Sequence, residues 1–218
     1  MKNLNPSELF SKGYHAMKNN DYLIAEKYFL AALYQLSIKQ DNYTILLGCL
    51  DKLSLHLYPE GNFENRDRVL EFYKLLSRVD INVSKGYARA LINGVLGEPD
   101  YTEAIKQISK GYDDEKIYLL AYLMNEGKGL EKDSSKAAIL LKSQLLVSSN
   151  REKQAKKLYD SIGIDVELND EQIEENIDKI LKEIFKNSTL IIEEDSINIE
   201  TMLIEFFKNT KNIPEIDK

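Results

Sequence analysis

Two stretches of this chain copy each other at a fixed distance. Residues 88–94 read Ala-Arg-Ala-Leu-Ile-Asn-Gly and residues 121–127 read Ala-Tyr-Leu-Met-Asn-Glu-Gly. Downstream, Asp100 answers Asp133, Ala104 answers Ala137 and Ile108 answers Leu141, each pair 33 positions apart. A single offset kept over six positions is the mark of a repeat architecture, in which each unit is one supersecondary element that buries its apolar face only by stacking on a neighbour. Each copy reads as a helix ending at a glycine (Gly94, Gly127), then a loop, then a second helix capped by an aspartate (Asp100, Asp133).

Helical hairpins continue on both sides of these copies. Leu9, Gly13 and Ala16 share one helical face, and Tyr22, Ala25, Phe29, Ala32 and Leu33 share another. Asn19-Asn20-Asp21 sits between them as turn and N-cap. Small Gly13 and Ala25 fall where two antiparallel helices would cross closely. Leu47-Gly48 follows Lys12-Gly13 by 35 residues, and two further helices are readable near 42–57 and 64–79, joined by Tyr58-Pro59-Glu60-Gly61-Asn62. A helix near 151–161 ends at Gly163. With only four prolines and ten glycines, a many-turned β-sandwich is excluded.

The first hairpin resembles a tetratricopeptide repeat. Leu9 stands at its large position, Gly13 at its glycine, Ala16 and Tyr22 at its aromatics, and Ala25, Phe29 and Ala32 on its second helix. Lys12 departs from the usual leucine and Ser37 from the proline. Gly127-Lys128-Gly129-Leu130-Glu131-Lys132-Asp133-Ser134-Ser135-Lys136-Ala137 resembles the loop of a Sel-one-like repeat, a relative with a longer, glycine-bearing connection. The copy at 94–104 is degenerate, with Leu96 and Gly97 where the later one has Gly129 and Leu130. The resemblance implies an all-α fold, an α/α superhelical solenoid over 1–164. It also implies a concave face lined by the first helix of each pair, with Phe10, Tyr14, Met17 and Lys18 as the first of its partner-binding positions; packing of Phe10 and Tyr14 on the neighbouring helix is the equal alternative. Exposed aromatics and methionine suit such a surface.

Residues 165–218 break the pattern. They hold 15 acidic and 6 basic side chains, leaving the rest of a chain of net charge −7 nearly neutral. Asp170 is placed to cap a helix striped with Ile173, Ile177, Ile180, Leu181 and Ile184. A short apolar run follows at 189–192, and a last helix begins near Asn198. The expectation is an acidic C-terminal helical cap or small module. Glu174, Glu175, Glu193 and Glu194 are its candidate docking positions for a basic partner. Such charge repels phosphate backbones, so nucleic acid is not an expected partner.

The sequence carries no catalytic or metal-binding set, and no cofactor is expected. His15 and His56 have no carboxylate or cysteine at ligand spacing and read as ordinary surface or groove histidines. Cys49 follows Gly48 in an apolar helix and reads as a small core residue; as the one cysteine it excludes an internal disulfide. Asp113-Asp114-Glu115 and the other acidic clusters read as solvated faces. Gly94, Gly97, Gly127 and Gly129 lack the Gly-Lys-Ser/Thr of a phosphate loop. Asp195-Ser196-Ile197 echoes the phosphopantetheine site of carrier proteins, but Glu194 replaces the customary glycine and the linker from the preceding helix is short. No signal peptide or membrane span is legible, so a cytoplasmic chain without membrane partners is expected. The function expected is a protein–protein interaction scaffold. A dedicated immunity or inhibitor protein that neutralises a toxin is the alternative, and a carrier or enzyme using the C-terminal module comes third.

Overall fold

The structure is a computed structural model that describes residues 4–39, 43–58, 65–78, 80–111, 113–146 and 152–186. Among the described residues the chain is all-helical, with ten α-helices and no strand. No described helix is long and apolar enough to cross a membrane. These helices fall into two compact units, residues 4–99 and 100–186.

The first unit opens with α1, Pro6–Lys18. Asn5 and Glu8 form a reciprocal capping box, with Glu8 N donating to Asn5 Oδ1 at 3.0 Å and Asn5 N to Glu8 Oε2 at 2.9 Å. The helix ends where Asn20 turns left-handed at φ 63°. Asp21 N then donates to Ala16 O (2.9 Å) and Asn20 N to Met17 O (3.1 Å), which satisfies the carbonyls that the helix end would leave open. This is the turn expected at Asn19-Asn20-Asp21. Helix α2, Tyr22–Lys39, runs back along α1. Gly13 makes that approach close, since a Cβ there would stand 2.8 Å from the Phe29 ring. Helix α3, Tyr43–Asp51, packs on α1 and α2 and continues as one π-helical turn, Lys52–Leu57. Helices α4, Arg66–Leu76, and α5, Ile81–Asn93, complete the unit, with α5 against both α3 and α4. Leu9, Phe29, Leu33, Leu50, Leu53 and Leu57 are buried in its core.

A carboxylate goes into that core with partners. Glu26 is 4% exposed and accepts from Tyr58 Oη at 3.1 Å and from Asn65 Nδ2 at 3.2 Å. A buried carboxylate is costly unless its lone pairs are taken up, and here they join α2 to the end of the π-turn and the start of α4.

The second unit holds α6, Tyr101–Ser109; α7, Asp114–Glu126; α8, Ser134–Leu146; α9, Glu152–Ile162; and α10, Asp170–Phe185. Helix α7 packs on α6, α8 and α9, and α8 on α9 and α10. Lys116 is fully buried, and its ammonium donates to Gln107 O near the C-terminal end of α6 at 3.3 Å, a favourable place for a cation. Helix α10, expected to begin a separate acidic part at 165, packs on α8 and is tied to it by Lys136 and Glu183 at 2.8 Å. Its N-cap is Asn169 rather than the expected Asp170. The capping box requires the Gln three residues on, and Gln172 N meets Asn169 Oδ1 at 2.9 Å, which leaves Asp170 in the first turn. Ile173 and Ile180 of the anticipated stripe are buried. The run at 189–192, the helix from Asn198, and Glu193, Glu194 and Ser196 lie outside the described residues.

The 33-residue offset recurs in the backbone. Gly94 and Gly127 are both left-handed (φ 64° and 68°) and close their helices with the same bond pair. Val95 N reaches Ala90 O and Gly94 N reaches Leu91 O; Lys128 N reaches Leu123 O and Gly127 N reaches Met124 O. Asp100 and Asp133 each accept from the backbone N–H three residues on, at 2.9 Å. Gly129 (φ 71°) is tighter still: a Cβ there would lie 2.7 Å from Tyr101 Cβ. Gly163, at a similar φ of 70°, has open space around the missing Cβ. Gly129→Ala is therefore expected to cost about 2–4 kcal/mol and Gly163→Ala about 1–2 kcal/mol, the difference being the steric clash alone. Urea unfolding of both variants, with midpoints that coincide, would contradict that packing.

Candidate functional site

In the first unit, α3 with its π-turn packs against both α1 and α5, and the three bring a set of polar side chains with exposed atoms together. Tyr14 on α1 is 37% exposed, and two ammonium groups flank its ring: Lys18 Nζ lies 5.5 Å and Lys52 Nζ 6.0 Å from the centroid. Cations over a tyrosine face are held by its quadrupole, worth about 0.5–1 kcal/mol at an exposed site. Lys52 Nζ is also 3.3 Å from His56 Nε2, and His56 Nε2 is 4.0 Å from Asp51 Oδ2. The other oxygen of Asp51 accepts from Arg89 Nη2 at 3.0 Å, which carries the chain of contacts onto α5.

The π-turn creates this arrangement. Its wider backbone repeat, with Tyr58 N bonding Leu53 O five residues back, sets residues five apart on one face. Asp51 and His56 are such a pair. Ser54 marks the place: its hydroxyl bonds Leu50 O (2.9 Å) and shares a 2.8 Å bond with Tyr73 Oη. His56 was expected to lack a carboxylate at ligand spacing because α-helical spacing was assumed; in the π-turn Asp51 comes within reach. No group of three metal-ligating side chains is found among the described residues.

Beside this cluster lies a cavity of about 320 Å³ between α3 and α5. Leu47, Leu50, Val83 and Tyr73 supply apolar lining, and Asp51, Asn82, Lys85 and Arg89 the polar part. Gly48 and Gly86 also line it. A Cβ at Gly86 would only touch Tyr73, at 3.4 Å. Tyr73 stacks on Tyr87 at 5.4 Å and 10°, and burial pushes its hydroxyl well above the usual tyrosine range, so it serves as a neutral hydrogen-bonding wall.

His56 is held below the usual histidine range. Partial burial is the first cause and Lys52 the second; Arg89 and Lys18 add to the depression while Asp51 opposes it. Cys49, next to Gly48, is fully buried, and burial raises its thiol far above the range in which a thiolate forms, so it offers no nucleophile.

The four anticipated groove residues divide in two. Phe10 is half-buried, 5.6 Å from the Phe29 ring, and lies 3.1 Å from where a Gly48 Cβ would stand, so it packs between α2 and α3. Met17 is half-buried, and Tyr14 and Lys18 are exposed and take part in the cluster. On α10, Glu174 and Glu175 are exposed, and Glu175 pairs with Lys179 at 2.7 Å. Asp113 of the expected solvated acidic run caps α7 through Lys116 N at 3.0 Å. Asp51, Lys52, His56, Lys85 and Arg89 were not anticipated as site residues. Compared with family models, with curated proteins and with solved structures, the chain finds no match.

Removing the Lys52 charge should release His56. Lys52→Met is expected to raise the His56 titration midpoint, because both the repulsion of the imidazolium and the hydrogen bond to the neutral ring are lost. Imidazole C–H resonances followed by NMR against pH measure it; an unmoved midpoint contradicts the Lys52 contact.

Proposed function

We propose that this chain is a protein-binding module, and that the α1–α3–α5 face takes an acidic segment of its partner. The observation that carries the reading is the balance of charge on that face. Lys18 and Lys52 beside an exposed Tyr14, and Lys85 and Arg89 lining the apolar-walled cavity, outnumber Asp51, the carboxylate that the described residues place among them. A concave or cleft-bearing surface of one sign concentrates ligands of the other and selects against its own sign. The apolar lining gives a partner side chain a place to lose water, and the charges set which partner arrives.

In this reading α1 is the first helix of a pair with α2, in keeping with the tetratricopeptide resemblance of that hairpin. The chain then acts as an adaptor or holder and not as an enzyme.

A second reading rests on the charge distribution. With 15 acidic against 6 basic residues in 165–218, a neutraliser of a basic toxin could dock through the acidic end. On α10 part of that charge is offset within the helix, where Lys179 pairs Glu175 and Lys182 pairs Asp178.

Fluorescence anisotropy with a glutamate-rich peptide carrying one leucine separates the two. Binding that weakens with salt and falls about tenfold (~1.4 kcal/mol) in the Lys18→Glu/Lys52→Glu variant is expected. Equal affinity in the variant would sink the α1–α3–α5 reading. A lysine-rich peptide bound in its place, and lost in Glu174→Lys/Glu175→Lys, would establish the second.

A further inference from the structure

The contact between Lys52 and His56 fixes the state of the imidazole. An ammonium has three hydrogens to donate and nothing to accept with. At 3.3 Å from Lys52 Nζ, His56 Nε2 is therefore the acceptor, which places the ring in its neutral form with the hydrogen on Nδ1. Protonating Nε2 would turn that attraction into repulsion. It would also present an N–H to Asp51 Oδ2, 4.0 Å away, while Asp51 Oδ1 stays with Arg89 at 3.0 Å.

We propose that His56 is a pH-sensitive element of the α1–α3–α5 face, whose protonation displaces Lys52, adds a positive charge beside Asp51 and tightens the hold on an acidic segment. This rests on the reading that the face takes such a segment.

The groups around the ring favour this behaviour from every side. Its own turn and the end of α3 contribute Lys52 and Asp51, α1 contributes Lys18, and α5 contributes Arg89. On α2 the carboxylate of Glu26 is engaged by Tyr58 and Asn65, and on α4 the hydroxyl of Tyr73 is engaged by Ser54. Partial burial, with Lys52, Arg89 and Lys18 outweighing Asp51 among the described residues, holds the free ring toward its neutral form. A bound acidic segment changes that balance, because its carboxylates lie among the same cations and favour the imidazolium. Linkage then requires the reverse: what raises the proton affinity of His56 on binding is itself bound more tightly once the proton is present. The side chain of His56 is 49% accessible, so protons reach it without opening the fold.

The test uses the full chain and the glutamate-rich peptide, with affinity measured between about pH 7.5 and 5.5, where glutamate carboxyls remain ionised. Affinity is expected to rise several-fold on acidification in the native protein, to stay flat in His56→Gln, and to keep its rise in His15→Gln. The NMR midpoint of His56 is expected to move up on saturation with peptide. A flat profile in the native protein overturns the switch, as does a His56→Gln variant with the native slope or a midpoint that ignores the peptide. In each of those cases binding itself persists and the reading of the face stands. Absence of binding at both ends of the pH range removes both together.

Discussion

Helix packing in the first unit depends on two places where a side chain is missing. At Gly13 the Phe29 ring occupies the space of a Cβ, and at Gly48 the Phe10 ring presses in from α1. Phe10 and Phe29 meet at 5.6 Å, so one aromatic pair seals the junction of α1, α2 and α3. Interiors are close-packed, and a methyl at Gly13 would force the ring or the helix to move. The placement of Tyr14, Lys18, Asp51 and Lys52 follows, since these residues stand next to the two glycines or one turn further along the same helices. The polar face is thus a by-product of how closely three helices approach beneath it.

Local signals in the sequence translated well into local structure. The offset between residues 88–108 and 121–141 became matching helix ends because the glycines supply left-handed backbone and the aspartates supply cap acceptors, both decided within a few residues. The turn at Asn19-Asn20-Asp21 and the end of α9 at Gly163 were legible for the same reason. The miss at Asn169 has an equally local cause: Asp170 and Asn169 are both good caps, and the distance to Gln172 decides between them. The division at 99 and 100 was not legible, because it depends on which helices share a core and no residue in the loop announces it.

The site was legible only in part, and in an instructive way. Tyr14 and Lys18 could be placed from the resemblance of one hairpin. For Phe10 the sequence leaves open a groove position or packing on a neighbouring helix, and the ring packs against Gly48, a contact 38 residues away in sequence. Asp51 and His56, five apart, are brought to one face by the π-turn and not by α-helical geometry, while Lys52 and His56, four apart, have ordinary helical spacing that announces no site. A signal was present in Ser54, a hydroxyl residue within an apolar helix, of the kind that bonds back to a carbonyl and disturbs the backbone ladder. Arg89 stands where the second copy has Tyr122, and only the fold shows that its partner is Asp51.

The π-helical turn has a consequence for how this surface tolerates change in length. A π-turn holds more residues per revolution than an α-helix, and it sits at 52–57, between the buried run Cys49-Leu50 and the buried pair Leu57-Tyr58. Leu53, Ser54 and Leu57 of the turn stay in register with the core, while Lys52 and His56 are carried partly or wholly outward. The turn therefore works as a phase shifter: the inside of the helix keeps count in one period and the exposed side in another. A loss of one residue here would restore the common period. Asp51 and His56 would then no longer share a face. Core and surface at this point are free to evolve on separate schedules, a freedom that an uninterrupted helix does not have.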